Sequence, residues 1–462
     1  MAEQAPHGSF QQRGQDAPAK NREVEGRFGF MFKHLQPFSP PDELLRALAE
    51  TMRQPPRDPA NPAQFENPAI PAGYTFFGQF VDHDITADRL SQLDKQQDPD
   101  GLKNFRTPSY DLDSVYAGGP QQSPQCFDGP KMRLDLHDGI EDLPRKADGT
   151  ADIGDPRNEE NAIIHQLQIA MIKFHNACVD HLAGQGTPQN ELFPKAQAVC
   201  QRYYQWAVLT DFIPRICGQA AVDAVLKKPS GNAPIRADLR FYKPKQTPFM
   251  PLEFAVAAYR FGHSQIRAGY ALRDNVGAAF FQPQASERNL NGFRPLLPDL
   301  KVDWQNFFDI PGAQKAPQPS QRIDSKLSGP LFQLPFGGEP KSLAERNLLR
   351  GKALKLPSGQ AVAEAMGFKP LTNAELGFQD DPGWGGQAPL WYYVLKEAEL
   401  QNEGTHLGDV GGRIVAETLV GLLVENRNSF FRLDPNFQPA PPMAPQPGQF
   451  RMGDLLKFAG AA

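Results

Sequence analysis

Between residues 158 and 183 the chain reads NEENAIIHQLQIAMIKFHNACVDHLA. Its apolar positions Ile164, Leu167, Ile169, Met171, Ile172 and Phe174 cover a wide face at helical spacing. The same signal recurs along the chain. PPDELLRALAETMRQ (40–54) predicts a helix with proline at its start and carboxylates in its first turn. YTFFGQFVDHDIT follows a Pro-Ala-Gly turn and predicts a helix capped by Thr75. Residues 189–217 predict helices broken at Pro214, and PLEFAVAAYRFGHSQI (251–266) another buried helix. Helical patterns resume at 342–350, 358–366, 389–400 and 410–424.

Loop-like, proline-rich stretches separate these segments at 88–150 and 283–340, and no internal repeat is visible. Residues 1–26 are polar and predict a flexible arm; DPNFQPAPPMAPQPGQ (434–449) resembles a linker before a short amphipathic end. The expectation is a mainly α protein with few strands: an arm over 1–26, a single large helical domain over 27–433 with long Pro/Gly-rich loops, and a Pro-rich tail over 434–462.

Composition narrows the classes. The 462 residues carry a formal net charge of −5, which gives no reason to expect nucleic acid or an anionic membrane as partner. Proline, at 45 residues, is about twice as frequent as the usual ~5%. Cys126, Cys178, Cys200 and Cys217 lack CxxC spacing, so neither a zinc site nor a disulfide framework follows. The start has no apolar core of a secretory signal, and no run is long enough to span a membrane. Cytoplasm is the default compartment, with export lacking a signal peptide as the other course. Oligomeric state is not readable.

The candidate chemistry begins at GQFVDHDITAD (78–88). In a helix, Gln79 and His83 share a face, while Asp84 points about 100° away and serves another site. GDPRNEEN (154–161) sets Arg157 and Glu160 at a helix start, AYRFGHSQIR (258–267) sets Arg260 three residues before His263, and AERNLLRG (344–351) offers Asn347 and Arg350. Each alone has a plain structural reading: a core histidine, a salt bridge at a helix start, a solvated turn. His165, His175 and His181, all on one helix, keep that reading.

In combination and in this order, the segments resemble the animal-type haem peroxidases of the peroxidase–cyclooxygenase superfamily, in particular their bacterial relatives, over roughly residues 70–425. The resemblance implies a peroxidase that reduces hydrogen peroxide through a ferryl intermediate and oxidises small aromatic donors or halides. His83 would be the distal acid–base group, which needs a pKa near neutrality. Arg157 would stabilise charge on the leaving oxygen, and Gln79 would order the distal water or a halide. His263 would ligate the haem iron, with Asn347 as acceptor for its other ring nitrogen. Arg260 and Arg350 would pair with the haem propionates. Asp82 and Glu160 fall where mammalian members form ester bonds to the haem b methyl groups. Asn161 follows Glu160, which excludes a methionine sulfonium link, and the chain lacks the CxxCH of thioether-linked haem. The GKALK stretch (351–355) departs from the family pattern after Arg350.

TPSYDLDSVY (107–116) resembles the family's calcium loop. Thr107, Ser109, Asp111 and Asp113 would be ligands together with Asp84, and alternating oxygen donors suit a hard cation. Mammalian members carry serine where this chain has Asp113. Two other functions compete. A fatty-acid dioxygenase of the cyclooxygenase-like branch needs tyrosine three residues before the proximal histidine; Arg260 stands there and Tyr259 is one step off. A non-enzymatic haem-binding module has no need of both His83 and Arg157. Phenol oxidation by peroxide, set against oxygen uptake with linoleate, separates the three.

Overall fold

The computed structural model describes residues 26–87, 103–104, 106, 108–227, 236–244, 248–281, 289–335, 338–378 and 382–462. The arm expected over 1–26 lies outside them except for Gly26, as do residues 88–102 and Thr107.

The fold is mainly α. The longer helices are α1 (Asp42–Thr51), α2 (Gly73–Ile85), α3 (Ala162–Gly184), α4 (Gln189–Ala207), α5 (Leu343–Ala353), α6 (Gly359–Met366), α7 (Leu390–Asn402), α8 (Asp409–Glu425) and α9 (Met452–Phe458). Strands are short and pair in twos and threes. Gly26–Gly29 runs parallel to Met250–Pro251 and antiparallel to Lys103–Asn104, and Glu66–Pro71 pairs antiparallel with Pro319–Gln321.

Two helices are apolar on nearly every side and therefore lie inside the molecule. In α8, every residue from Val410 to Leu423 is buried. In α2, Tyr74, Phe76, Phe77, Phe80 and Val81 are buried. Phe77 and Phe80 set their edges against Tyr204 of α4 at 6.1 and 6.0 Å between centroids. The start of α2 is pinned by neighbouring segments: Ala72 N donates to Gln318 O and Gly73 N to Phe307 O. A Cβ on Gly73 would come within 2.5 Å of Phe307 O and the Phe308 ring, so only glycine permits this approach.

Several local expectations are corrected. Thr75 does not cap α2; the helix starts two residues earlier, after Ala72, because backbone carbonyls of neighbouring segments take its first amides. Residues 158–161 are not part of the long helix: Pro156–Glu159 form a 3₁₀ turn, and Asn161 caps α3 by accepting from Ile163 and Ile164 N. Pro214 does not break the chain. It sits in the first turn of Ile213–Cys217, where a missing N–H costs nothing, and the irregularity is a π turn at Val208–Phe212 just before it. The segment 251–266 is not a continuous α-helix. It is a π turn, Glu253–Ala257, followed by a 3₁₀ helix, Ala258–His263, with the break at Ala257 (φ −126°, ψ −78°).

The proline-rich C-terminal stretch folds back on the domain. Phe450 meets the Tyr203 ring at 4.8 Å, and α9 buries Met452, Leu455 and Leu456.

Candidate active site

The π and 3₁₀ turns and the C-terminal half of α2 border one cavity. Gln79, Asp82, His83, Arg157, Glu160, Arg260, His263 and Arg350 all line it. Its remaining wall is largely apolar, with Phe261, Ile266, Phe281 and Leu354 among the lining side chains. His165, His175 and His181 do not line it. His165 pairs with Asp142, His175 with Tyr116 Oη and Pro130 O, and His181 with Gln185.

His83 is buried, and its Nδ1 lies 2.8 Å from Asn158 Oδ1. An amide oxygen only accepts, so Nδ1 carries the proton and Nε2 holds a lone pair. Nε2 has no partner among the described residues. Asn158 is itself oriented by donating from Nδ2 to Gln168 Oε1 at 2.9 Å. Burial, reinforced by the Arg157 charge, lowers the His83 pKa below its ordinary value. The imidazole is therefore a neutral base with its lone pair available.

Arg157 is anchored along one edge. Its Nε and Nη2 both donate to the Asp155 carboxylate, and Nη2 also reaches His83 O (3.0 Å) and Thr86 O (2.5 Å). These carbonyls belong to the end of α2, where helical partners run out. Among the described residues no partner takes Nη1, which leaves that donor pair for the cavity. Burial works to raise the Asp155 pKa, but the charges of Arg157 and Arg106 hold it well below the usual carboxylate range.

Gln79 bridges two neighbours: Nε2 donates to Glu160, and Oε1 accepts from Asn161 Nδ2 at 3.2 Å. Asp82 accepts from Thr86 Oγ1 at 2.9 Å.

On the other segment, the 3₁₀ geometry matters. Three residues complete a turn, so Arg260 and His263 stand one above the other. Asn347 of α5 touches both. Arg260 Nη1 donates to Asn347 Oδ1 at 2.7 Å, and Asn347 Nδ2 lies 2.7 Å from His263 Nδ1. Asn347 is thus the neighbour expected of it, but its amide nitrogen faces the ring because Arg260 holds the oxygen. Ligation of iron through Nε2 calls for the opposite turn of the amide. The donor set otherwise fits haem: an imidazole on the cavity wall, two arginines for carboxylates and an apolar lining. Trp391 of α7 stands edge-on to His263 at 6.4 Å between centroids and donates Nε1 to Arg260 O, steadying the same turn.

Asp84 points away from the cavity. Its carboxylate accepts from Leu112 N, Ser114 N and Ser114 Oγ. Burial pushes its pKa up to about 7, and burial together with Asp84 and Asp113 raises that of Asp111. Asp113 turns to Arg106, accepting from Nη1 at 2.9 Å, and Asp111 accepts from Asp113 N. Ser109 is buried nearby in the chain, and Thr107 is outside the described residues. Among the described residues no three ligating side chains of histidine, cysteine, aspartate or glutamate converge closely enough to hold a metal ion. Of the expected calcium ligands, Asp84, Asp111 and Asp113 come together at this loop closely enough for their charges to act on one another.

Asn158, Asp155 and Arg106 escaped the sequence reading. The only signal for Asp155 was its place two residues before Arg157, where an aspartate caps a helical turn.

The sequence profile described as animal haem peroxidase matches residues 95–379. The match takes in Arg157, His263 and Asn347 and stops short of His83. A peroxidase of Drosophila melanogaster is 26% identical over 302 residues, covering 58% of this chain and 41% of its own. The chorion peroxidase of the same organism is 24% identical over 283 residues, covering 57% of this chain and 34% of its own. The chain thus spans less than half the length of these relatives. Among solved structures, peroxidase A from Dictyostelium discoideum superposes with a TM-score of 0.63 at 13% identity, over 94% of this chain and 93% of its own. A fatty acid alpha-dioxygenase from Arabidopsis thaliana gives 0.58 at 16% identity, over 92% and 75%. At such identities these structures share the fold alone. No helix of the described residues is long and apolar enough to cross a membrane.

Proposed function

Because the chain belongs to the animal haem peroxidase family, we propose that it binds haem b in the cavity between α2 and the 3₁₀ helix and uses it to reduce hydrogen peroxide at the expense of small aromatic donors or halide. The observation that carries the proposal is the state of His83: a buried neutral imidazole, Nδ1 held by Asn158 and Nε2 open, with Arg157 Nη1 uncommitted on the same cavity.

The haem, when bound, supplies the iron that takes up peroxide and stores its oxidising equivalents. The chain's own residues do the rest. His83 Nε2 accepts the proton of the incoming peroxide and returns it to the departing oxygen, which leaves as water. Arg157 Nη1 donates to that oxygen as negative charge gathers on it. In a site that excludes bulk water such a fixed donor is worth far more than in solution. Gln79, tied to Glu160 and Asn161, orients a water or halide beside His83. His263 would ligate the metal, with Asn347 orienting the ring, and Arg260 and Arg350 would pair with the propionates. Asp82 and Glu160 are carboxylates on the cavity wall and are the candidates for ester links to haem methyl groups.

Calcium is the second element of the proposal, with Asp84, Thr107, Ser109, Asp111 and Asp113 as ligands. Its support is chemical: burial raises the pKa of Asp84 at the end of α2, burial and the charges of Asp84 and Asp113 raise that of Asp111 in the adjoining loop, and a divalent cation relieves both. Asp113 would give the ion one carboxylate oxygen and keep Arg106 on the other.

The test is the absorption spectrum of haem-loaded protein before and after peroxide, with guaiacol oxidation alongside. His263→Ala is expected to lose haem or to change its spectrum strongly. His83→Ala is expected to keep haem and to react with peroxide slower by orders of magnitude. A normal peroxide reaction in His83→Ala rejects the distal assignment. Oxygen uptake with linoleate, in the absence of guaiacol oxidation, replaces the peroxidase by the dioxygenase.

A further inference from the structure

Asp155 is nearly inaccessible and serves two arginines at once. On one side it accepts Arg157 N at 3.0 Å, Arg157 Nε at 3.1 Å and Arg157 Nη2 at 2.9 Å. On the other, its Oδ2 accepts Arg106 Nε at 3.1 Å and Nη2 at 2.6 Å. Arg106 is buried too, and its other bonds go to Gly154 O and to Asp113 Oδ2, both at 2.9 Å. The result is an unbroken chain, Asp113–Arg106–Asp155–Arg157–His83 O, from the acidic loop to the wall of the cavity.

Each link is geometrically restrictive. A guanidinium is planar, and a carboxylate gripping Nε and Nη2 fixes the plane and the direction in which Nη1 points. The segments that carry the links lie close together: a Cβ on Gly154 would stand 2.6 Å from Ser114 O and 2.7 Å from Asp113 O. The two carbonyls on Arg157 Nη2 would by themselves hold one nitrogen only. Without the Asp155 charge, two buried guanidiniums would also face each other with nothing between them.

We infer that Asp155 is a positioning residue for the peroxide reaction, aiming Arg157 Nη1 into the cavity, and that Arg106 holds Asp155 in place from the Asp113 loop. The inference rests on the reading that Arg157 acts on bound peroxide. It adds two residues that touch neither peroxide nor haem, and it makes the acidic loop part of the distal apparatus.

The experiment is a double-variant cycle on haem-loaded protein. Asp155→Asn keeps the shape of the side chain and removes its charge. It is expected to slow the bimolecular reaction with peroxide about 10- to 100-fold, somewhat less than loss of a transition-state donor itself. Cyanide affinity of the ferric protein is expected to fall with it, while haem content and the KM for guaiacol stay unchanged. If Asp155 acts through Arg157, Asp155→Asn has no further effect in an Arg157→Gln background. Full multiplication of the two effects overturns the inference, as does a reaction within twofold of wild type in Asp155→Asn. Arg106→Gln leaves the Asp155–Arg157 pair intact and is expected to give a smaller loss of the same kind; if Asp155→Asn fails to fold, this variant decides by the same cycle.

Hydrogen exchange of the haem-free protein keeps the outcome separate from the functional reading. Asp155→Asn is expected to raise exchange across 79–87, because the end of α2 loses the arginine that Asp155 holds against it. If the wild type takes up no haem, the functional reading fails, and this arm alone judges the clamp: unchanged exchange overturns it.

Discussion

Asn158 offers the sharpest test of how the distal imidazole is prepared. It is fully buried, and its Oδ1 is the acceptor for His83 Nδ1. Asn158→Ala removes that acceptor and leaves a buried N–H without a partner, which costs about 1–3 kcal/mol. The ring relieves this by moving its proton to Nε2 or by turning, and either change withdraws the lone pair from the cavity. At 1.36 kcal/mol per factor of ten, the expected loss in the peroxide rate constant is about 5- to 150-fold, with haem still bound. Asn158→Asp acts differently. The carboxylate still fixes the proton on Nδ1, but its charge favours the imidazolium. In the wild type, burial and Arg157 keep His83 below its ordinary pKa, so the rate falls only when the pH drops below the usual imidazole range. In Asn158→Asp that pKa rises, so the base is lost at higher pH and the acid limb moves upward. Stopped-flow mixing with peroxide across about pH 4.5–8.5 (two units either side of the ordinary ~6.5) reads both variants. If Asn158→Ala reacts within twofold of wild type, or if the acid limb of Asn158→Asp stays or moves down, Asn158 does not set the state of His83.

Turnover with peroxide is expected to leave part of the haem resistant to acidified acetone, with haem-modified peptides containing Asp82 or Glu160 in the mass spectrum; complete extraction would make these carboxylates hydrogen-bonding partners only. Strong chelation is expected to slow peroxide activation and lower the melting temperature, with recovery on adding calcium. An ion present at 100 times its dissociation constant contributes about 2.7 kcal/mol, so an unchanged melting temperature counts against the site. Gly292→Ala is expected to destabilise the fold by more than about 3 kcal/mol, because its Cβ would collide with Glu159 O and Glu160 C; a thermal melt unshifted from wild type would show that this loop can move aside.

The distal half of the site was legible because it depends on short-range spacing. Gln79 and His83 are four apart on a real helix, and Asp84, one residue on and about 100° round it, turns to a second environment. Asn158 and Arg106, which no motif of the resemblance names, were not legible. Asn158 meets His83 from 75 positions away and Arg106 meets Asp155 from 49, and nothing local in either sequence announces the pairing. The proximal segment was misread for another reason. Apolar periodicity over 251–266 fits a helix of some kind, but its winding depends on packing. As an α-helix, Arg260 and His263 would stand about 60° apart; as a 3₁₀ turn they align on Asn347. Thr75 and Pro214 show the same limit, since neighbouring carbonyls and a π turn overrode good local signals.

Arg157 also bears on how related sequences should be read. Its Nη2 closes the carbonyl end of α2, the negative end of that helix, in a buried setting. A descendant that had abandoned peroxide would still unravel the end of this helix by discarding the arginine, so natural selection for folding alone would preserve it. The presence of arginine at this position is therefore poor testimony to a living enzyme. The discriminating feature is the partner of Nη1: a retired copy is free to bury that donor against an acceptor of its own, and an active one must leave it vacant.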